Sequence, residues 1–260
     1  MLPAQAVDTA NLQLLAQLMQ EPLLKPFVLV GGTALALHLG HRRSRDLDLF
    51  SDGPTPIDGE IKDLLLSKYE MRADGALQRM RAQEPEWDKA AIQGVIGQVK
   101  TDVVNYGFPL LQPVVLYPGS NIRMASLEDL SAMKLAGVVM SGERLRDFVD
   151  VAALSEKLTL NQMRQAYEGR FNTSSSEVPR ALAFHGDIDF NMKPEMQGYR
   201  WPAIATRLEQ MQRSPDRLFP PIVEQRLVMP VLGPMAEENA KALLPDQQKA
   251  PEPKRRGLKL

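Results

Sequence analysis

FVLVGGTALALHLGHRRSRDLDLF, residues 27–50, is the segment on which the fold turns. Phe27-Val28-Leu29-Val30 is a continuous apolar run ended by Gly31-Gly32, the pattern of a buried strand. Thr33 to Leu39 consists of good helix formers and stops at Gly40. His41 to Arg45 is a polar, basic loop. Asp46-Leu47-Asp48-Leu49 then alternates strictly, which predicts a second strand. Gly31 and Gly32 carry no side chains, so backbone there can approach a ligand closely. A helix starting at Thr33 adds free N–H groups and a positive dipole end, a ready site for a phosphate. Asp46 and Asp48 are two apart on a strand, so both carboxylates share a face, roughly 6–7 Å apart at their Cα atoms. Carboxylates so placed can bridge a pair of hard cations. A D-x-D alone is common in turns and on exposed strand faces; beside a glycine turn, phosphate cradle and metal carboxylates converge.

Other phosphate motifs fit less well. The segment lacks the GK[ST] of a P-loop and the third glycine of the dinucleotide fingerprint. Phosphatases of the haloacid dehalogenase type also use D-x-D, but there it follows an apolar strand directly. Here it follows His41-Arg42-Arg43-Ser44-Arg45. Those guanidiniums can balance the two aspartates or receive an anionic acceptor such as a nucleic-acid end. His41 reads as a packing or hydrogen-bonding residue rather than a general base.

Working outward, Leu12, Leu14, Leu15, Leu18 and Met19 have helical spacing, so residues 9–20 predict a first helix, broken by Pro22 and Pro26. Residues 57–69 read as an amphipathic helix. The region 70–98 holds several short possible strands around Trp87 and Val95. Val99 to Tyr106 is rich in β-branched residues and predicts a strand; 107–125, with Pro109, Pro113 and Pro118, reads as loop. At Ser126 the character changes. Ser126-Leu127-Glu128-Asp129 is a near capping box opening a helix to about Met140, 143–157 reads as a second helix, and Thr159 with Gln162 opens a third. Residues 176–185 and 202–213 predict two more, with Trp201 and Tyr199 read as core. PDQQKAPEPKRRGLKL has three prolines and five Lys/Arg against two acids, the composition of a disordered tail. The expected organisation is a mixed α/β domain over 1–120, a helical domain over 121–235 and a tail over 236–260.

The composition bounds the function. With 260 residues, 44% apolar and 24% charged, the chain can bury a substantial core as one large domain or two small ones. A net charge of −1 and pI of about 6.3 exclude a globally basic nucleic-acid coat, though not a local basic patch. The absence of cysteine excludes disulfides, thiolate metal sites and a cysteine nucleophile, and fits a reducing compartment. His38, His41 and His185 are too few and scattered to predict a zinc site. The N-terminus has neither a basic start nor an apolar run, and no stretch approaches a membrane span, so the expected location is the cytoplasm with no membrane partner.

The segment resembles the AbiEii/AbiGii-type toxins, a branch of the DNA polymerase beta-like nucleotidyltransferase superfamily. The resemblance lies in Gly31-Gly32-Thr33-Ala34-Leu35-Ala36-Leu37, His41-Arg42, Ser44 and Asp46-Leu47-Asp48-Leu49-Phe50. Further matches run from Ala125-Ser126-Leu127-Glu128-Asp129 to Lys134, and over Arg146-Asp147-Phe148-Val149-Asp150. It covers roughly residues 25–165. It implies a nucleotidyltransferase-type mixed sheet flanked by helices, with a helical domain after it. It also implies an NTP as substrate, two magnesium ions, a cognate antitoxin, a role in phage defence, and in some relatives a tRNA acceptor.

Carried over by resemblance, Gly31, Gly32, Thr33, Arg42, Ser44 and Arg146 would meet the nucleotide, and Asp46 and Asp48 would ligate metal. Thr33 stands where the wider superfamily more often has serine. A third carboxylate, normally the general base, matches Asp102, with Asp88 also available. Lys134 and Asp147 would belong to the cleft wall, with Lys134 on the triphosphate. Read from the residues alone, Lys134 is equally a solvated helix lysine, and Arg146 with Asp150 an exposed pair four apart. Two other functions stay open: a non-catalytic nucleotide- or partner-binding module of this fold, and a γ-phosphotransferase.

Overall fold

The computed structural model describes residues 5–51, 53–73, 75, 90–191, 200–222 and 226–230. Helix α1 (Thr9–Leu18) leads through a single 3₁₀ turn to strand β1 (Phe27–Val30), which passes directly into α2 (Gly31–Leu39). Strand β2 (Leu47–Ser51) returns antiparallel to β1, pairing Val30 with Asp48. α3 (Gly59–Asp63) continues into a π-helical turn over Leu64–Lys68. β3 (Arg72–Ala73), β4 (Ala91–Ile96) and β5 (Val99–Val104) complete one flank of the sheet. β6 (Val115–Leu116) and β7 (Arg123–Met124) complete the other. Among the described residues the sheet is mixed and seven-stranded, in the order β3-β4-β5-β2-β1-β7-β6. The helical half follows as α4 (Leu127–Met140), α5 (Leu145–Leu154), α6 (Leu160–Phe171), α7 (Val178–Ala183) and α8 (Trp201–Arg213).

β2 is central, and its alternation decides what each face does. Leu47, Leu49 and Ser51 point into the core, while Asp48 and Phe50 stand on the opposite, half-open face. β5 lies parallel beside it, with Asp102 directly opposite Asp48 and Val104 opposite Phe50. One apolar core runs from sheet to helices: Phe27 and Leu29 of β1, Leu35 of α2, Leu130 and Leu135 of α4, and Phe148 and Val149 of α5 are all fully buried in it. Emptying such a position, as in Phe148→Ala, costs about 3–5 kcal/mol. The helix starts obey the sequence rules. The Ser126 side chain accepts from the Asp129 amide, and Thr159 with Gln162 forms a complete reciprocal capping box.

Three features differ from the sequence reading. The α2 helix begins at Gly31 rather than Thr33, and β2 begins at Leu47, leaving Asp46 at its entrance. The stretch 107–125, read as loop, contributes β6 and β7; β7 pairs with β1 at Leu29–Met124. Two-residue strands are too short to show alternation. The region around Trp87, the alternative carboxylate Asp88, Tyr199 and the tail from residue 236 lie outside the described residues. Trp201 packs edge-on against Phe148, His185 and Phe190. No helix among the described residues is long and apolar enough to cross a membrane.

Candidate active site

A cleft of about 360 Å³ opens between the exposed face of β2 and β5 and the helices α4 and α5. Its floor at one end is acidic. Asp48 and Asp102 occupy opposite positions on parallel strands, which sets their Cα atoms about 4.8 Å apart. Gln93 on β4, opposite Asp102 on its other side, donates to Asp102 Oδ2 at 3.0 Å, and Lys100 Nζ lies 3.3 Å from the same oxygen. Asp102 Oδ1 is buried with no hydrogen-bond partner. Burial, and then the neighbouring Asp102 carboxylate, push the Asp48 carboxyl up to about 6.

The glycine turn sits at the same end. Gly31 has φ +69°, a conformation that L side chains rarely adopt, and a Cβ there would run into the Asp48 carboxylate. The bare backbone is what lets that carboxylate lie against the first residue of α2. Gly32 is confined differently: its missing side chain makes room for the Arg42 guanidinium and the Ser44 hydroxyl. Thr33 is fully buried; its hydroxyl donates to the Asp46 carbonyl and pairs with the Ser44 hydroxyl at 2.9 Å. The Thr33 side chain therefore ties the basic loop to the helix start and lies behind the residues that line the cleft.

The opposite wall is a closed network of charges. Asp150, with no exposed surface, receives Arg42 Nε at 2.6 Å and Nη2 at 2.9 Å, His41 Nε2 at 2.7 Å and Lys134 Nζ at 2.9 Å. Lys134 also donates to Asp147 Oδ1 at 2.7 Å, and Arg144 Nε lies 2.9 Å from Asp147 Oδ2. Burial alone would raise the Asp150 carboxyl, but Arg42 and Lys134 outweigh it and hold it well below the usual carboxylate range. Burial likewise opposes the Lys134 charge, yet Asp150 and Asp147 raise its pKa above the ordinary lysine value. Burial pushes the His41 imidazole down, against the pull of Asp150; because the Asp150 carboxylate only accepts, His41 Nε2 is the donor between them.

These contacts correct several expectations. Lys134 is not a solvated helix lysine; its side chain is 11% exposed. Arg146 does not pair with Asp150. It reaches across the cleft mouth to Asp46 Oδ2 at 3.7 Å. Arg42 is committed to Asp150 as a bidentate pair, so its charge is already answered within the protein. Gly31, Gly32, Ser44, Asp46, Asp48, Asp102, Lys134, Arg146 and Asp147 all line the cleft, with Arg42 behind Gly32. The sequence reading left Asp150 and His41 out of the site. A signal existed: Asp150 lies on a helix flanked by Phe148, Val149, Val151 and Ala152, all buried. An acid surrounded by core positions needs buried counter-charges.

The carboxylate pair suits a cation. Asp48 is raised by burial and then by a like charge, Asp102 Oδ1 has no partner, and both donors are the hard oxygens that magnesium takes. Among the described residues, no three acidic or imidazole side chains converge into a finished cage; Asp46 faces Arg146 instead.

With β2 central, the glycine turn at the end of β1 and the helices closing over the open face, the class this fold defines is the nucleotidyltransferases. The comparison of sequences narrows it. The family model described as the nucleotidyl transferase AbiEii toxin of type IV toxin–antitoxin systems matches residues 13–228, and the chain belongs to that family. The uncharacterised protein aq_aa25 of Aquifex aeolicus is 24% identical over 184 residues, covering 68% of this chain and 82% of that one. Among solved structures, a provisionally assigned nucleotidyltransferase from H. pylori aligns over 79% of this chain and 94% of its own, with 16% identity and a TM-score of 0.49. An antigenic nucleotidyltransferase-like protein from Paracoccidioides brasiliensis aligns over 78% and 94%, with 15% identity and a TM-score of 0.44.

Proposed function

We propose that the chain moves a nucleoside monophosphate from an NTP to an acceptor hydroxyl, releasing pyrophosphate, with Asp46, Asp48 and Asp102 holding two magnesium ions. The observation that carries this reading is the register pair Asp48–Asp102 beside the glycine turn: two carboxylates side by side, one with an unpartnered oxygen, where backbone can meet a phosphate. Magnesium bound there would neutralise the triphosphate and polarise its α-phosphorus. The acceptor oxygen bonds to that phosphorus and the bond to pyrophosphate breaks. Asp102, with its unpartnered Oδ1, takes the acceptor proton. Lys134, Arg146 and the backbone at Gly31-Gly32 offset the charge that grows on the leaving pyrophosphate. Asp147 holds Lys134 in place. Catalysis is positioning and charge stabilisation, with no covalent intermediate on the protein.

The acceptor in this reading is an RNA end such as that of tRNA. The family's designation as a toxin of type IV toxin–antitoxin systems supports a cognate antitoxin partner; a setting in phage defence is part of this reading through the sequence resemblance alone. The test uses the whole chain with magnesium, total RNA and NTPs labelled at either the α- or the γ-phosphorus. Label from the α position in RNA is the expected result. Label from the γ position alone would make the protein a phosphotransferase. Binding of NTP without any transfer would make it a non-catalytic module.

A further inference from the structure

The loop from His41 to Arg45 is held from behind by segments near both ends of the described chain. Arg42 and Ser44 fill the space that Gly32 leaves, so the position of this loop decides the position of the glycine turn. Loop backbone has no ladder of its own and must find partners elsewhere. The Ser44 amide donates to the Ala6 carbonyl at 3.0 Å, and the Asn11 side chain donates to the Arg45 carbonyl at 2.8 Å. At the loop's entrance the Gly40 carbonyl accepts from the Leu227 amide at 3.0 Å. The approach is close: a side chain on Gly40 would lie 3.0 Å from the Leu227 carbonyl.

The two end segments also hold each other. The Ala6 amide donates to the Val228 carbonyl at 3.0 Å, and Gln5 and Val228 form a parallel bridge. Ala6, Val7 and Leu227 are buried. The outer segment is pinned at both of its ends. Arg226 pairs with Glu156, just after α5, and the buried Tyr117 hydroxyl, between β6 and β7, donates to the Pro230 carbonyl at 2.5 Å.

We propose that Arg226–Pro230 is a positioning strap for the active site: directly through Gly40 and indirectly through Ala6, it fixes the His41–Arg45 loop and, with it, the glycine turn. Ala6, Leu227 and Val228 do not line the cleft, so they act through the loop alone. The inference rests on the reading of the glycine turn as the phosphate cradle. A cradle made of backbone works only if the shell behind it is fixed. Here that shell is completed by residues far along the chain from the turn, on neither wall of the cleft.

The test compares full-length chains. Leu227→Pro removes the amide that meets Gly40. Ala6→Pro removes the amide that meets Val228 and keeps the carbonyl that meets Ser44. Tyr117→Phe releases the outer anchor at Pro230 with little change of shape. Leu182→Ala, which empties a core position of α7, is the control for stability alone. Two quantities are measured well below the melting temperature: hydrogen exchange at the Ser44 amide, and calorimetric binding of inorganic tripolyphosphate with magnesium. Each strap variant should speed exchange at Ser44 about two- to tenfold, the loss of one net backbone hydrogen bond, and weaken tripolyphosphate by a similar factor. Leu182→Ala should lower the melting temperature and change neither. If Leu227→Pro does not fold, Tyr117→Phe carries the same comparison. Wild-type exchange at Ser44 in a folded strap variant overturns the strap. So does faster exchange with unchanged tripolyphosphate binding, or an equal loss of binding in Leu182→Ala. A wild-type protein that does not bind tripolyphosphate overturns the cradle reading instead, and the exchange at Ser44 still decides whether the strap holds the loop.

Discussion

The two walls of the cleft use the same residue types to opposite ends. On the helical wall, Asp150 is fully buried and meets two cations and an imidazole, so its carboxyl is held far below the normal range. On the sheet wall, Asp48 is also withdrawn from water but faces another carboxylate, and it is pushed up to about 6. The first wall is electrically complete; on the second, Lys100 reaches one Asp102 oxygen, while Asp48 has a like charge as its direct cross-strand neighbour. A buried carboxylate with its partners present is a structural element, and one without them marks where a cation or a phosphate–metal assembly belongs.

The largest expected effect comes from breaking the complete wall. Asp150→Ala leaves Arg42 and Lys134 as buried cations short of a counter-ion and should cost about 3–5 kcal/mol in a denaturant titration at pH 7. Because the folded Asp150 carboxyl lies below its unfolded value, its contribution is present above the ordinary carboxylate pKa and disappears as pH falls through the folded one. A variant as stable as wild type would mean that the network is not holding the wall. Next comes the incomplete wall. Asp48→Asn should lower turnover by about 10²–10³-fold yet raise the melting temperature of the metal-free protein at pH 8. The sign follows from the direction of the shift. A carboxyl raised from 3.8 to about 6 favours the folded state below pH 4, and that advantage is lost as pH rises through about 6. The stabilising effect of Asn should therefore shrink towards pH 4. Full activity, or no gain in stability at pH 8, would remove the contrast.

Lys134 belongs to the helical wall but lines the cleft, so it sharpens the comparison. Lys134→Ala should weaken NTP binding or turnover by roughly ten- to a hundredfold, the loss of a charge-assisted hydrogen bond. The exposed Lys157→Ala serves as the control and should leave both unchanged. If Lys134→Ala destabilises the fold while NTP kinetics stay at wild-type values, the lysine serves Asp147 and Asp150 alone. The smallest effect is expected at the rim. The Arg146–Asp46 pair is 3.7 Å long with both side chains more than a third exposed. Arg146→Gln should change stability by less than about 1 kcal/mol, measured by thermal melting at two salt concentrations.

The sheet wall was legible in the sequence because its parts lie within residues 27–50, where strand, glycine turn, helix and alternating aspartates follow each other. The strand carrying Asp102 was legible from its β-branched residues; Asp102 as third carboxylate came from the family resemblance, with Asp88 as the alternative, and the register places Asp102 opposite Asp48. The helical wall was less legible because its logic is not local. His41 and Arg42 meet Asp150 across 109 and 108 residues. The spacing of Arg146 and Asp150 suggested an exposed helical pair, although one side chain points to the rim and the other into the core. Similarly, Asp129 looked like part of a cap. It also receives the backbone amides of Leu111 and Gln112 and the Arg170 guanidinium, none of them predictable from the helix start.

The 108-residue separation of Arg42 and Asp150 also sets a clock. At a synthesis rate of 5–20 residues per second, about 5–20 s pass between the making of the two residues. During that interval the nascent chain already carries the glycine turn and both aspartates of the D-x-D, but Arg42 has no buried counter-ion and α5 does not yet exist. The cleft gains its second wall only when the helical half has emerged, so a truncated or stalled product carries the sheet-wall aspartates without the completed cleft.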